Sequence, residues 1–208
     1  MEMTTTDPPI LYFGTPVVLI STLNEDSTPN LAPMSSAWWL GHSCVLGLAA
    51  VSKTTENLLR TGECVLNLPS ADLAGHVDRL ALTTGSDPVP GGKVRRGYRH
   101  EADKFGLAGL DPIPSDLVAA PRAAQCPVQM EARLADSHPV GPRPGSLNAV
   151  EVSVERVHAH DDILAEPDRI DPDAWRPLIM SFQHFYGLTE ERLRPSSLAR
   201  IPEAAYRA

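Results

Sequence analysis

The 208-residue sequence predicts a β-dominated fold, an antiparallel barrel with a few helices. Segments rich in β-branched or alternating apolar residues recur along the chain, and most of them are joined by short connections. The 20 prolines and 14 glycines imply many turns and disfavour a helical bundle. The sequence predicts six or seven strands and two or three helices. These numbers favour an antiparallel barrel over a doubly wound sheet.

The first half of the chain supplies four predicted strands and one helix. Residues 1–9 are expected to form a loose arm, and residues 24–29 a polar turn. Pro33 cannot donate to a β-ladder, so it marks an edge, a bulge or a place where its strand opens toward a ligand. The four strands are predicted at residues 16–22, 30–39, 43–48 and 63–68.

The second half is more irregular. Ser70 is expected to cap a helix of about three turns that ends near Leu82. Residues 105–121 look irregular, with one strand predicted near 117–120. Two alternating segments are predicted to pair as a hairpin across a turn at 139–145, and a last helix is predicted at 173–185. The hairpin strands are predicted at 126–136 and 147–158.

Composition excludes several classes of function. The net charge of −8 argues against a nucleic-acid partner. No apolar run is long enough to span a membrane, and the N-terminus shows no basic segment followed by an apolar one, so no signal peptide is expected. The three cysteines are widely spaced among apolar neighbours, which indicates buried free thiols and a cytoplasmic protein.

The segment 52–62 is predicted to be a helix with a hydroxyl-rich start and Gly62 as its C-cap. Ser52, Thr54 and Thr55 surround Lys53 at that start. A helix N-terminus leaves backbone N–H groups unpaired and carries partial positive charge, which suits an anion. The segment is therefore either a phosphate site or a helix that Ser52 simply caps, and capping serines are common.

Residues 83–99 form a polar, glycine- and proline-rich segment with the one strongly basic cluster of the sequence. One interpretation is a solvated loop. The other is a lid whose cations meet a phosphate of a substrate or cofactor, since long irregular loops in compact domains are often functional. The cluster consists of Lys93, Arg95, Arg96 and Arg99.

A metal site and side-chain catalysis are not predicted. His158, His160, Asp161 and Asp162 offer ligand atoms, but aspartates beside histidines are also ordinary turn chemistry. No second histidine or cysteine cluster completes a site at a recognisable spacing. No catalytic dyad and no Gly-x-Ser-x-Gly elbow is present.

Several motifs together resemble the flavin reductase-like family of FMN-binding split-barrel proteins. The most specific are Asn30-Leu-Ala-Pro-x-Ser35 and Ser52-Lys-Thr-x-x-Asn57, in the family's order and separation. The later motifs DKFGLAGL (103–110), VERVHAHDDIL (154–164) and RPLIMSFQHFYGL (176–188) resemble a longer-tailed branch of that family. The resemblance covers nearly the whole chain and implies one domain over residues 1–208, with an arm at 1–9, a loop insertion at 83–100 and a C-terminal extension at 165–208.

The resemblance implies a six-stranded antiparallel Greek-key split barrel, a homodimer, and an FMN groove near the dimer interface. It places residues 32–36 along the isoalloxazine ring and the hydroxyl-rich helix start around the phosphate, with Asn57 supporting that turn. The implied cofactor-binding residues are Ala32, Pro33, Met34, Ser35, Ser36, Ser52, Lys53, Thr54, Thr55 and Asn57.

The function implied is an NAD(P)H-dependent flavin reductase that supplies reduced flavin or electrons to a partner oxygenase, with FMN, or alternatively FAD, as the flavin. The chemistry belongs to the cofactor, so no catalytic side chain is required. His138 lies in a hairpin comparable to that of the family's nicotinamide-binding residue, but in a different local motif. Two alternatives stay open: a flavoenzyme that keeps FMN and acts directly on a small organic substrate, and a flavin-binding protein without catalysis.

Overall fold

The computed structural model describes residues 3–141, 146–190, 193–194, 196–202 and 205. Residues 142–145 of the predicted turn lie outside this range, as do parts of the predicted arm and tail. The described chain is mostly β. The strands are β1 Phe13–Pro16, β2 Val18–Leu23, β3 Pro29–Met34, β4 Ala37–Leu40, β5 Ser43–Ala49, β6 Glu63–Leu68, β7 Thr83–Thr84, β8 Arg99–His100, β9 Pro112–Ile113, β10 Arg122–Ala123, β11 Val128–Val140, β12 Leu147–Ala159, β13 Leu164–Glu166, β14 Arg169–Ile170, β15 Ile179–Ser181 and β16 His184–Tyr186. The α-helices are α1 Lys53–Thr61, α2 Ala74–Arg79, α3 Gly91–Val94 and α4 Lys104–Ala108, and 3-10 helices cover Ala71–Leu73, Asp161–Ile163 and Ser197–Arg200.

The main sheet of the described residues has seven antiparallel strands in the order β3-β2-β6-β11-β12-β5-β4. Its two end strands, β3 and β4, are consecutive in the chain and separated only by Ser35 and Ser36. This short link joins the two ends, so the sheet closes into a barrel. The prediction of one strand over 30–39 was therefore wrong, because the chain leaves one edge of the sheet at Met34 and joins the other at Ala37.

The seam of the barrel depends on a close approach between β5 and the link. The amide of Gly47 donates to the carbonyl of Ser36 at 2.7 Å. A Cβ atom at position 47 would lie 2.9 Å from the Cβ of Ser36, closer than side chains normally come. Glycine at this position therefore lets the two backbones hydrogen-bond.

The barrel interior is apolar. Alternate residues of the main strands point inward, as Val18 and Ile20 do on β2, and both are fully buried. Cys44 and Cys64 belong to this core, and all three cysteines are buried and free, as predicted. Burial raises the pKa of the Cys44 thiol to about 12, which leaves it inert at neutral pH.

A second apolar layer covers the outer face of β2 and β3. Leu19 and Leu31 point outward there and pack against α2, α4 and the C-terminal tail, represented by Val77, Phe105 and Leu178. The helix predicted over 70–82 is shorter than expected and consists of the first 3-10 helix followed by α2. Val77 of this layer also lines the cavity of about 160 Å³ described below.

The tail helix predicted at 173–185 was wrong, because β15 and β16 form a hairpin there and β15 pairs with β1. Phe182 and Gln183 form the two-residue turn, with φ of 44° and 67°, which matches the twist of a tight hairpin. The Phe182 ring packs edge-on against Phe13 at 5.0 Å between centroids. Pairing with the N-terminal strand has thus overridden the local helical preference.

The segment 111–126 crosses the outside of the barrel and is held by buried polar side chains. Glu131 on β11 is fully buried and accepts hydrogen bonds from the amides of Asp116 (2.9 Å), Leu117 (2.5 Å) and Val118 (3.2 Å). The strand predicted near 117–120 is absent, because these amides bind the carboxylate instead of a neighbouring strand. Burial alone would raise the pKa of Glu131, but the amides and His158 lower it to about 2.

Helix α1 forms as predicted. The Ser52 hydroxyl accepts a hydrogen bond from the Thr55 amide at 3.1 Å, and Gly62 ends the helix in the left-handed region at φ 70°. Within the described part of the chain, no helix has the length and apolar character needed to cross a membrane.

Candidate functional site

A cavity of about 200 Å³ lies between β3, the start of α1 and residues 80–98. Six of the ten residues predicted to bind a cofactor line it, and they come from two separate parts of the sequence. They are Ala32, Pro33, Met34, Ser52, Lys53 and Thr54.

The β3 wall is an open strand edge. β3 stands at the end of the sheet order, so Pro33 pairs with Leu19 on one side and has no ladder partner on the other within the described part of the chain. This confirms the edge position predicted for Pro33. Ser35 lines an adjoining apolar cavity of about 160 Å³, to which the tail hairpin contributes Met180 and Phe185. Ser36 lines neither cavity. Its carbonyl instead accepts the hydrogen bond from Gly47 at the barrel seam.

The start of α1 presents unpaired donors to the cavity. The amides of Lys53 and Thr54 have no acceptor among the described residues, as expected at a helix N-terminus. The Thr54 hydroxyl accepts a hydrogen bond from Asn30 at 3.2 Å and keeps its own hydrogen for a ligand. Ser52 caps the helix and also lines the cavity, so its capping role is confirmed and the phosphate site stays a prediction.

Thr55 and Asn57 lie beneath this wall and do not line the cavity. Thr55 is fully buried, and its hydroxyl donates to the Ala49 carbonyl at 2.9 Å. Asn57 is also fully buried and donates to Thr22 at 3.2 Å and to Asn24 at 2.9 Å. Both residues therefore fix the position of the helix start relative to the barrel, which for Asn57 is the supporting role expected of it.

Four positively charged side chains line the cavity, and one of them, Lys53, is paired with a carboxylate outside the lining. The lining includes Lys53, Lys93, Arg96 and Lys104, and no carboxylate among the described residues. Lys53 forms an ion pair with Glu56 at 2.7 Å. Lys93 donates to the Thr84 hydroxyl at 3.0 Å and lies 5.6 Å from the centre of the Tyr98 ring. Burial lowers the pKa of Lys93, and the nearby charge of Arg96 lowers it further.

The segment 83–99, interpreted from the sequence as either a solvated loop or a lid, contributes only part of its basic cluster to the cavity. Lys93 and Arg96 line the wall, whereas Arg95 and Arg99 do not. Arg99 pairs instead with Glu101 at 2.9 Å. The segment also contains β7, α3 and β8, so it is more ordered than a simple loop.

Sequence reasoning missed Lys104, the most buried cation of the cavity. Lys104 is 3% exposed and has no hydrogen-bond or ion-pair partner among the described residues. Burial, and then repulsion from Lys93, lower its pKa to about 8. The available signal was the DKFGLAGL motif: Asp103 caps α4 by accepting a hydrogen bond from Gly106 at 2.8 Å, which places Lys104 at the first helical position.

The histidines considered as metal ligands serve other contacts. Asp116, Glu131 and His158 bring ligand atoms within 4.8 Å of one another. The His158 ring hydrogen-bonds Glu131 at 2.6 Å, and the Glu131 oxygens already receive three amides. His160 bonds the Ala124 carbonyl at 2.9 Å. This arrangement holds the segment 111–126 against the barrel.

Comparison with known proteins places the chain in a family. The flavin reductase like domain matches residues 10–189. The chain is 40% identical over 185 residues to the uncharacterized protein YdfE of Bacillus subtilis (strain 168), which covers 88% of each protein. Among solved structures, flavoredoxin of Desulfovibrio vulgaris (Miyazaki F) has a TM-score of 0.75 at 20% identity and covers 96% of this chain and 100% of that one. Nitrilotriacetate monooxygenase component B from Bacillus cereus has a TM-score of 0.73 at 17% identity, with 92% and 98% covered.

These comparisons agree with the barrel fold described above. The structural neighbours are flavin reductase-like split-barrel proteins, which confirms the predicted β-dominated fold class, although the main sheet contains seven strands where six were expected. The domain match spans the β3 edge, the start of α1, the basic segment and the tail hairpin alike. The chain therefore belongs to the flavin reductase-like family, a family of flavin-related oxidoreductases.

Proposed function

We propose that the protein binds FMN in this cavity and transfers hydride from NAD(P)H to the flavin, supplying reduced flavin or electrons to a partner oxygenase. One observation carries the proposal. Two unpaired backbone amides at the start of α1 lie beside three cations that form no ion pair among the described residues, Lys93, Arg96 and Lys104. All of them adjoin the uncharged edge of β3. A phosphate suits the amides and cations, and a flat ring suits the strand edge.

The donor set fits the two ends of FMN. The amides of Lys53 and Thr54, the Thr54 hydroxyl and the Lys104 ammonium would hold the phosphate. At about 3.3 Å per residue, the edge from Ala32 to Ser35 extends about 10 Å, comparable to a three-ring system. When bound, the flavin would accept hydride and pass electrons onward. The chain would bind and orient it, with backbone amides of the β3 edge facing the ring.

Homodimer formation is part of the proposal. The exposed large apolar side chains include Trp38 and Leu40 on β4, which are 55% and 75% exposed, and Phe13 on β1 at 70%. Clusters of such side chains are typical of protein interfaces. A monomeric mass in sedimentation velocity would contradict this part alone.

A second function is favoured by the apolar cavity beside Ser35. Met180 and Phe185 of the tail extension enclose space for a small apolar group next to the expected ring position. A flavoenzyme that retains FMN and acts on an organic substrate would use such a space. Anaerobic desalting of the protein after reduction separates the two functions, because a reductase releases its reduced flavin and an enzyme of the second kind keeps it.

The direct test is anaerobic mixing of the FMN-loaded protein with NADH or NADPH. We expect the visible flavin absorbance to bleach within seconds to minutes with at least one nucleotide, faster than with free FMN. If FMN binds but neither nucleotide bleaches it, the protein is a flavin binder without hydride uptake.

The phosphate site can be tested by comparing FMN with riboflavin, which lacks the phosphate. Ser52→Ala combined with Thr54→Ala should weaken FMN about tenfold or more, since a hydrogen bond to a charged group is worth about 1.5 to 3 kcal/mol. Riboflavin affinity should change little. Isothermal titration calorimetry measures the dissociation constants of FMN and of riboflavin.

A matched control uses the opposite end of the same helix. Thr61 bonds the Asn57 carbonyl at 3.0 Å and lies outside the cavity, so Thr61→Val should leave both affinities unchanged. Because Ser52 also caps α1, Thr54→Val alone should reproduce the loss without removing the cap. Equal losses for FMN and riboflavin would show that the phosphate binds elsewhere.

A further inference from the structure

A third cavity lies at the other end of the barrel from the start of α1. Its volume of about 770 Å³ is larger than that of either cavity described above. It is bounded by the end of β12, the crossing segment 111–126 and the β13–β14 hairpin. Leu147 of β12 pairs with Ala49 near the start of α1, and at about 3.3 Å per residue roughly 35 Å of strand separate Leu147 from His158 in the cavity wall. Among the described residues, none that lines this cavity lines either of the other two.

Arg122 is held in a fixed position in the wall of this cavity. Its Nε and Nη2 atoms donate to the Pro114 carbonyl at 3.1 and 2.9 Å, and its Nη1 atom donates to Oε1 of Gln129 at 3.0 Å. Gln129 is 2% exposed and is itself held, because its Nε2 atom donates to the Cys126 carbonyl at 2.8 Å. A guanidinium has five N–H donors, so two of those on Arg122, one on each terminal nitrogen, have no acceptor among the described residues. A carboxylate accepts two such donors from a guanidinium.

The charge of Arg122 is not neutralised by a neighbouring carboxylate. Arg122 is half-buried and forms no ion pair within the described part of the chain. Asp168 also lines the cavity, but it is exposed on the turn between β13 and β14 and already has an interaction partner. Glu131 does not line the cavity, and three amides and His158 occupy its oxygens. An unpaired, half-buried cation favours the binding of an anion, because water and salt screen such a pair less than they screen a pair at an open surface.

Apolar side chains line the same cavity as Arg122. Val157 is 46% exposed although its side chain is apolar, and Ile170 packs at the edge of the apolar cluster around Ile163. Covering such a surface with an apolar group removes it from water, which is favourable. A ligand that suits this cavity therefore combines an apolar body with an acidic group. The larger apolar side chains of the lining are Ile113, Val157, Leu164 and Ile170.

We infer that this third cavity binds an organic carboxylate, with the carboxylate on Arg122 and the apolar body against Val157, Leu164 and Ile170. The volume of about 770 Å³ is within the range of small-molecule sites and accommodates a body of two fused rings. One guanidinium among apolar side chains matches a single negative charge on an apolar body, whereas a phosphate suits the cation-rich cavity at α1. The inference goes beyond the proposed function, because it needs neither flavin nor any residue of the flavin cavity.

The probe is 2-naphthoate, whose affinity is measured by isothermal titration calorimetry on the whole protein. Its uncharged counterpart, 2-naphthamide, has nearly the same shape, so the difference between the two affinities reports the contribution of the charge. We expect 2-naphthoate to bind about tenfold more tightly or better, which is roughly the value of one charge-assisted hydrogen bond. If 2-naphthoate does not bind, or binds no more tightly than 2-naphthamide, the inference is overturned. This comparison uses only the wild type, so it decides the question even if a variant fails to fold.

Arg122→Gln locates the carboxylate of the probe. The variant should weaken 2-naphthoate about tenfold or more and leave the affinity for 2-naphthamide nearly unchanged. Arg156→Gln is the matched control and should change neither affinity, because Arg156 lies on β12 and pairs with Asp116 at 2.7 Å but does not line the cavity. If Arg156→Gln or Lys104→Met weakens 2-naphthoate as much as Arg122→Gln does, the probe binds elsewhere and the inference is overturned.

Discussion

Lys104→Met is expected to weaken FMN binding by about tenfold to a hundredfold while stabilising the protein without flavin. A hydrogen bond between an ammonium and a phosphate contributes about 1.5 to 3 kcal/mol, which corresponds to that range. In the free protein the Lys104 side chain is 3% exposed, and its ammonium has no hydrogen-bond or ion-pair partner among the described residues. Its removal should therefore raise the free energy of unfolding by about 1 to 3 kcal/mol.

The pH dependence of binding has a definite sign. The folded-state pKa of Lys104 is about 8, below the ordinary 10.5. FMN affinity should fall as pH rises through 8, because the lysine loses its charge. The stability of the free protein should rise between pH 8 and 10.5, because the unfolded chain holds the proton more tightly there. Lys104→Met should remove both trends.

Calorimetric titration with FMN between pH 6.5 and about 9.5, combined with urea unfolding, measures both effects. Arg95→Met is the control, since Arg95 lies on the same basic segment but does not line the cavity. A variant that binds FMN as tightly as the wild type would contradict the role of Lys104, even if its stability rose.

Glu131→Gln is expected to destabilise the fold by about 3 kcal/mol, although Glu131 lies outside the candidate site. Glutamine keeps one oxygen but turns an amide group toward backbone N–H groups that now donate to the carboxylate. Donors would then face donors in a fully buried position. The segment 111–126 should detach first, since Glu131 receives three of its amides.

The pH profile isolates the charge of Glu131. Its pKa is about 2 in the folded protein against 4.5 ordinarily, so the wild type should lose stability as pH falls from 4.5 toward 2. Glu131→Gln should lack this component. Urea unfolding at pH 7 and pH 4 measures it, with Glu155→Gln, an exposed position on β12, as the control. Equal pH dependence in wild type and variant would locate the acid sensitivity elsewhere.

Capping and alternation patterns in the sequence correctly predicted those elements whose local preference matches their contacts in the fold. Ser52 and Gly62 gave the bounds of α1, and alternation in the two long segments gave β11 and β12. The family motifs located both parts of the candidate site, Ala32 to Met34 and Ser52 to Thr54. Pro33 pointed to an open edge before any topology was known.

Predictions failed where distant contacts decide. The tail has a helical pattern, but β1 lies beside it and offers ladder partners. The division between β3 and β4 depends on Gly47, which approaches from another strand. Lys104 was missed, because the DKFGLAGL motif can place it at the start of α4 but does not show that α4 packs onto β3 and buries it.

The two-residue link between β3 and β4 has a consequence for engineering. The backbone that would face the flavin ring also connects the two end strands of the barrel. An insertion there to enlarge the cavity would therefore shift the strand register and also disrupt the hydrogen bond with Gly47. Mutant libraries aimed at new acceptors should leave residues 35 and 36 at their natural length. They should vary Met180, Phe185 and the basic segment, which border the cavities without closing the sheet.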